Sequence, residues 1–512
     1  MAALAEVGNV SASGDLAATH GLAGAVRRGL GWSVVSNVVL RAGSLSVGIA
    51  LARLLSPGEF GAYAVALTVQ AVLMTLADLG LSADLIRSDD AERRAPTVAT
   101  LGLVSGVSLA TLMILTAGPI ASSLGSTAST SAIQVLALTL VLSGLGVVPY
   151  ARLNRAFQQQ RLFAVSMTDF VVSTTVTIAL VLADVGIMSI AIGRVLGQGL
   201  ALALQFRLAG VRPRFGFDRS LGRSAVAFGL PVALANLLSW ALLNIDTVVV
   251  ARGLGQVELG FYVLAFNIST WPMSVLGQVV RSVALPAFAR ADRASGRPDP
   301  TLALGVRLSW ALGVPTGAFL ALLAGPLVVF VYGGAWERSA VVLAPLAVFG
   351  ALRVLFDLLA TYLLARGRAG TTLVIQLAWF VTLVPAVVVG MRTHGLVGVG
   401  WAHVVVGVAV ILPAYLVAVA RAGADLSAVA AALWPPLLFA VPALAVAVLV
   451  GSAGEGALLD LLAAGLAGGA TYLLLALPWL RRHLSAPPPA TPAERPAPVI
   501  EAKPDVRQGA TL

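Results

Sequence analysis

The chain contains no cysteine. Disulfides, thiol catalysis and cysteine-ligated metal are therefore excluded. Charge is scarce as well, at 11% of residues against about 25% in soluble domains. Lysine is almost missing: Lys503 is the only one, so arginine carries the net charge of +10. Arginine in place of lysine, with heavy alanine and glycine, hints at a GC-rich bacterial source. No Walker lysine loop, HExxH helix or GxSxG elbow occurs in a fitting context. The four histidines (His20, His394, His403 and His483) are scattered without ligand spacing. Neither a cofactor nor enzymatic chemistry is expected, and any work must draw on a gradient or the membrane potential. No basic patch is interleaved with aromatics, which argues against a nucleic-acid partner.

What is present is apolar sequence. The 512 residues are 58% hydrophobic and hold many more apolar runs of about 20 residues than a soluble core needs. The fold expected is an all-α polytopic membrane protein with about 14 transmembrane helices. The spans read as 30–53, 60–82, 96–117, 131–149, 164–183, 186–208, 225–250, 260–282, 302–324, 339–363, 370–390, 396–420, 432–450 and 457–479. The polar segment 1–26 reads as a disordered cytoplasmic N-terminus. The run after Arg27 and Arg28 is too long for a signal peptide and has no clear cleavage site. Residues 481–512, rich in proline, alanine and charge, read as a disordered cytoplasmic tail.

Arginine placement orients the chain. With the N-terminus in the cytoplasm, twenty arginines fall on inside loops and ends, and four (Arg53, Arg252, Arg338 and Arg392) fall outside. The positive-inside rule then favours N-in and C-in.

A repeat organises the spans. Asn37, Ala52, Arg53, Leu55, Glu59, Gly61 and Tyr63 recur, shifted by 199 residues, as Asn236, Ala251, Arg252, Leu254, Glu258, Gly260 and Tyr262. Each copy reads as helix, polar turn, helix. Six spans separate the copies, so both enter the membrane in the same direction, as parallel repeats do. The expected plan is an N-lobe at 27–208, a cytoplasmic linker at 209–224 and a C-lobe at 225–420. These form two six-helix lobes around a central cavity, and 421–480 adds two C-terminal spans. Arg53 with Glu59, and Arg252 with Glu258, are expected to fix the two turns, by ion pairs if close enough. Gly61 and Gly260 would permit close helix approach.

Polar residues inside the spans are the candidate site. A charge at a helix centre costs roughly 2.5–3.5 kcal/mol on insertion scales, so each needs a reason. Asn37, Arg41, Ser44 and Gly48 share one face of span 1. Asn236, Ser239 and Asp246 share a face of span 7. Asn267, Thr270, Ser274, Gln278 and Arg281 form a stripe along span 8. Span 6 carries Arg194, Gln198 and Gln205. Such faces must meet protein or water rather than lipid. The expected cavity lining is Arg41, Asn37, Arg281, Arg194, Asn236, Asn267 and Gln278, with Arg41 the first choice to grip an anion. The bland alternative is that these groups only cross-link helices. Asp246 is a coupling-cation candidate or an arginine partner. Arg353 and Asp357, one turn apart, suit a structural ion pair. Asp78 and Asp169 read as interfacial. His403 is a proton-site candidate, although a lone histidine is more often a packing residue.

The segment Leu51-Ala52-Arg53-Leu54-Leu55-Ser56-Pro57-Gly58-Glu59-Phe60-Gly61 resembles the turn signature of Wzx-type polysaccharide-biosynthesis flippases. Asp78-Leu79-Gly80-Leu81, Leu85-Ile86 and Arg155 are similar to further family segments, as are Asn244, Asp246, Gly260, Tyr262 and Pro286 in the second half. The similarity covers about residues 25–480. It implies a bacterial cytoplasmic-membrane flippase that moves an undecaprenyl-diphosphate-linked oligosaccharide by alternating access. Membrane lipids would be partners, with glycan polymerase and glycosyltransferase neighbours. A cationic cavity would hold the diphosphate. The rivals are a multidrug or toxin cation antiporter and a lipid II flippase of the same superfamily, and further off a membrane glycan polymerase, which the short outer loops oppose.

Overall fold

The computed structural model describes residues 39–77, 80–88, 90–290, 301–452 and 457–484. Among these the chain is helical and without strands. Helix α1 covers 39–54. It is followed by α2 (Pro57–Ala77), α3 (Leu81–Arg87), α4 (Ala91–Ser123), α5 (Ser129–Leu136), α6 (Leu138–Arg155), α7 (Gln159–Leu182) and α8 (Met188–Ala209). A stretch without regular secondary structure, 211–218, lies within the expected linker. The second half holds α9 (Arg219–Arg290), α10 (Thr301–Leu322), α11 (Ala324–Tyr332), α12 (Glu337–Ala365), α13 (Ala369–Val406), α14 (Leu412–Arg421), α15 (Leu426–Gly451) and α16 (Ala457–Leu484).

Two of these are too long to be single rods. Helix α9 has 72 residues, and a straight helix of that length would run about 108 Å, against about 30 Å of hydrocarbon. It breaks at Gly255, where φ of 82° and ψ of 179° suit glycine alone. Helix α13 turns back at His394 and Gly395. There Gly390 and Gly398 lie backbone to backbone: a Cβ on either would come within 2.3 Å and 1.9 Å of the other's carbonyl oxygen. Along a straight helix, eight residues would hold them about 12 Å apart. Among the described residues twelve stretches are long and apolar enough to cross a membrane, one of them the doubled-back Ala369–Arg421. This is the all-α polytopic class expected.

Lipid tails are as apolar as leucine, so helices in a membrane associate through close packing rather than water exclusion. The spans use this unequally. The apolar window of Gly334–Ala365 is 72% buried within the protein, that of Gln159–Leu182 only 11%. Helix α12 is thus the core post of the second half, carrying Leu343, Leu346, Leu358, Leu359 and Tyr362 with no exposure. Helix α7 stands at the margin of the first half.

The two repeat copies meet at their turns. A Cβ on Gly61 would fall 1.7 Å from the Gln256 carbonyl oxygen, and one on Gly260 would fall 2.3 Å from that of Pro57. Pro57 and Gln256 are themselves 199 residues apart, as are Gly61 and Gly260. Each copy therefore touches the other through the same pair of positions, as a two-fold contact requires. The close approach expected of these glycines is what the structure contains.

The turn charges do not pair as expected. Glu59 instead accepts from the backbone N–H and hydroxyl of Ser56, at 2.8 Å and 2.7 Å, capping α2. Glu258 pairs with Arg338, at 2.6 Å, rather than with Arg252. Arg53 donates to the carbonyls of Phe330 and Val331. Trp336 is the plug of this seam. Its indole N–H donates to the Ala52 carbonyl at 2.6 Å. Its ring lies edge-on to Phe60 and Phe261, with centroids 5.2 Å and 5.9 Å away. The halves touch again at the far end of α2, where Gly80 backs onto Gly229 and the Arg87 guanidinium lies 3.9 Å from the Phe228 ring centre.

Candidate substrate cavity

A cavity of about 550 Å³ opens among α2, α6, α7 and α8 in the first half. Its floor is polar because two glutamines converge there. Gln70 of α2 donates to the Thr139 hydroxyl at 2.7 Å, and Gln198 of α8 to the Thr139 carbonyl at 3.1 Å. One turn before Gln198 stands Arg194, and Gln205 continues the same face further along α8. Asp169 of α7 lines the same cavity. The bare face of Gly197 lets α8 close on α7: a Cβ there would lie 2.9 Å from Asp169 Oδ1.

Two groups in this cavity have no hydrogen-bond partner among the described residues: Arg194 Nε and Asp169 Oδ1. Each feels the other's charge, yet they do not close into an ion pair. Unmatched buried polar atoms are uncommon, because each forfeits a hydrogen bond that water would have supplied. A guanidinium and a carboxylate lining one polar cavity without pairing can take a ligand that offers anionic oxygens to the first and hydroxyls to the second. Tyr63, on the first repeat turn, also lies within reach of the Arg194 charge.

Of the expected site residues, Arg194 is in this cavity and the others are not among its lining residues. Arg41 is exposed on α1, two residues before Gly43, which abuts the Phe170 ring next to Asp169. Asn236 and Asn267 are exposed on the two limbs of α9. Asn37, and the side chains of Gln278 and Arg281, lie outside the described residues, as does Asp78. Asp169, expected near a span end, is well inside its helix. Helix α7 begins at Gln159, so Asp169 stands in mid-helix; placing the span start at 164 hid its depth. The signal that finds it is its register with Arg194, which needs the α7–α8 pairing.

Asp246 and His403 fall elsewhere, together, within the second half. Both are buried, at 3% and 2% exposure. His403 Nε2 stands 3.3 Å from Asp246 Oδ2. Tyr262, the repeat mate of Tyr63, donates its hydroxyl to the same carboxylate, and the Thr247 N–H donates to Oδ1 at 2.8 Å. The histidine that reads as isolated in sequence thus has a carboxylate partner. Among the described residues no group of three or more metal-ligating side chains comes together.

A family model described as "Polysaccharide biosynthesis protein" matches residues 50–341. The chain is 25% identical over 449 residues to the lipopolysaccharide biosynthesis protein WzxC of Escherichia coli (strain K12), spanning 84% of this chain and 88% of that one. It is 28% identical over 326 residues to the succinoglycan biosynthesis transport protein ExoT of Rhizobium meliloti (strain 1021), spanning 63% and 65%. Its fold is similar to that of the lipid II flippase MurJ in an inward closed conformation, with a TM-score of 0.74 over 88% of this chain and 99% of that one, at 15% identity.

Proposed function

The chain belongs to the polysaccharide biosynthesis protein family, and from that premise we propose that it is a transporter, not an enzyme. It moves an undecaprenyl-diphosphate-linked oligosaccharide between the leaflets of the bacterial cell membrane. The observation that supports this reading is the polar cavity among the spans whose lining includes Arg194 and Asp169, with Arg194 Nε and Asp169 Oδ1 buried and without partners among the described residues. A half-buried arginine on a span, with its Nε unmatched, is stabilised where a ligand supplies an anion. A diphosphate does so with two or more charge-assisted hydrogen bonds, and Asp169 and the glutamines accept and donate to sugar hydroxyls.

The finer plan follows from the same reading. Two six-helix lobes, 27–208 and 225–420, enclose the path, with 421–480 outside it and both chain ends cytoplasmic. Arg41, Asn236 and Asn267 are exposed on α1 and on the two limbs of α9. They line the route that the head group takes, while the lipid tail stays in the bilayer. The repeat-turn seam, with Trp336 as its plug, is the outer gate. Polymerase and glycosyltransferase neighbours would supply and consume the lipid-linked unit.

The test is flipping of a labelled undecaprenyl-diphosphate oligosaccharide by reconstituted protein. The Arg194→Ala variant is expected to lose about tenfold or more in rate, the equivalent of about 1.5–3 kcal/mol for a charge-assisted hydrogen bond. Arg41→Ala is expected to lose less, because Arg41 is exposed. Full activity of folded Arg194→Ala would remove Arg194 from the path. Inactive wild type across several lipid-linked sugars would sink the flippase reading and turn attention to cation-coupled drug efflux.

A further inference from the structure

The Asp246 cluster is built differently from anything that waits for an organic ligand. It is closed on every side. Asp246 comes from the first limb of α9, Tyr262 from the second limb beyond the Gly255 break, and His403 from α13. Phe349 of α12 covers the imidazole, with centroids 5.0 Å apart. The other charges near it are on α12 as well. Arg353 acts on Tyr262, and Arg353 and Asp357 both have interactions of their own.

The hydrogen-bond geometry counts protons. His403 Nδ1 stands 2.9 Å from the Val399 carbonyl oxygen. A carbonyl only accepts, so Nδ1 carries a hydrogen. The contact between Nε2 and Asp246 Oδ2 is then attractive only if a proton lies between them. That proton sits either on the imidazole, giving an ion pair, or on the carboxyl, giving a neutral pair. With no proton, a nitrogen lone pair and a carboxylate oxygen would face each other at 3.3 Å in a buried site of low polarity. With two, the carboxyl's hydrogen would have no acceptor among the contacts seen, since Tyr262, the Thr247 N–H and an imidazolium all donate. The arrangement seen therefore holds one shared proton. The imidazole fills the place beside the carboxylate that a hydrated metal cation would need.

The cluster is also in a position to act. It staples both limbs of the α9 hairpin to α13. Tyr262 is two residues from Gly260, whose backbone abuts Pro57 of the first half, and next to Phe261, whose ring packs on Trp336. Loss of the staple frees the hairpin whose turn forms one side of the seam. We propose that Asp246 and His403 form a proton-binding site whose shared proton holds α13 on the α9 hairpin and keeps the seam closed, so that proton release favours its opening. A ligand can shift a two-state equilibrium only by its differential affinity for the two states. Here the differential arises because the proton has both partners only in the closed form. The coupling to cargo rests on the transport reading above; the proton site does not.

The chain's lack of cysteine makes the experiment clean. Leu54 and Val257, on the two repeat turns, are exposed and can each be changed to cysteine and spin-labelled in full-length protein in lipid nanodiscs. Wild type is expected to move from a short to a long inter-label distance as pH rises. Asp246→Asn and His403→Gln keep the size and hydrogen-bonding character of the side chains, and each is expected to give a distance distribution that no longer responds to pH. Tyr262→Phe is expected to keep the pH response. Thermal unfolding of each variant shows that it is folded; if one carboxyl or imidazole variant is not, the other decides. In proteoliposomes, a one-unit pH difference biases a one-proton exchange by up to about tenfold, and that stimulation is expected to vanish in both variants. A pH response retained in both variants, a wild type indifferent to pH, or a distance that follows sodium instead of pH would overturn the proposal. Failure of flipping alone would count against the transport reading and leave the distance measurement to judge the site.

Discussion

Tyr63 and Tyr262 hold the same place in the two copies of one hairpin, and their surroundings are opposite. Tyr63 stands near a cation, Arg194, on the wall of a cavity of about 550 Å³. Tyr262 donates to a carboxyl group, that of Asp246, which is buried at 3% exposure. On the first side Arg194 Nε and Asp169 Oδ1 lack partners among the described residues. On the second side both carboxylate oxygens are engaged and the imidazole uses both nitrogens. A buried network that is fully satisfied rigidifies the protein around it, whereas an unpaired buried polar atom is costly. The recurring hairpin thus carries its tyrosine into two settings, near the Arg194 charge in the first half and inside a hydrogen-bonded cluster in the second.

This contrast breaks first at its most buried groups. Replacing His403 with alanine leaves Asp246 buried without its partner, and loss of one member of a buried pair costs about 3–5 kcal/mol. Arg194→Met is expected to leave stability unchanged or slightly raised, since it removes an unmatched group, while flipping falls. Thermal unfolding of the two variants side by side measures the difference. Equal destabilisation would show that the first-half cavity is as structural as the second-half cluster.

The seam provides a second test. Gly61→Ala and Gly260→Ala each drive a methyl into the opposing backbone, at a cost of about 1–3 kcal/mol for overpacking. Because the contact is two-fold, the two losses should be similar, and the double variant should lose less than their sum. Denaturant unfolding would expose an asymmetric seam as unequal single losses. A smaller effect is expected at Arg338→Ala. Its side chain is 67% exposed, so loss of the Glu258 pair should cost no more than about 1 kcal/mol and should shrink further in high salt.

The least effect concerns the linker that joins the halves. Asp218 Oδ1 accepts from the Ser220 N–H and hydroxyl and from the Leu221 N–H at the start of α9. The Ser220 hydroxyl, followed by these backbone donors, holds its carboxyl below the usual range. A lowered folded-state value means that the cap's contribution is present above the unfolded value, about pH 4, and is lost as pH falls through the lowered one. Asp218→Ala should flatten that acid-side decline slightly, as read from unfolding midpoints below about pH 4.

Much of this was legible beforehand. The spans, the repeat turns and the closeness of Gly61 and Gly260 follow from hydropathy and from seven residues recurring at one spacing. Those signals are local or periodic, so they survive without knowledge of which helices are neighbours. The partners were not legible. Glu258 was expected near Arg252 and meets Arg338. Asp169 was placed at an interface and lies mid-helix. His403, alone in its span, faces Asp246 from a helix far along the chain. No spacing rule links such residues, because their proximity arises from helix packing and not from the chain between them.

By itself, then, the amino-acid order determined that this chain lives in a membrane, how its helices are punctuated and that one hairpin recurs at a shift of 199 residues. Segment length, apolarity and arginine placement act one helix at a time, and the bilayer reads each of them separately. Only the tertiary structure decided which buried charges are satisfied. Whether Arg194 and Asp169 stand apart, or Asp246 and His403 touch, depends on how closely α7 meets α8 and α9 meets α13. Those distances are set by small residues and packed rings on several helices at once.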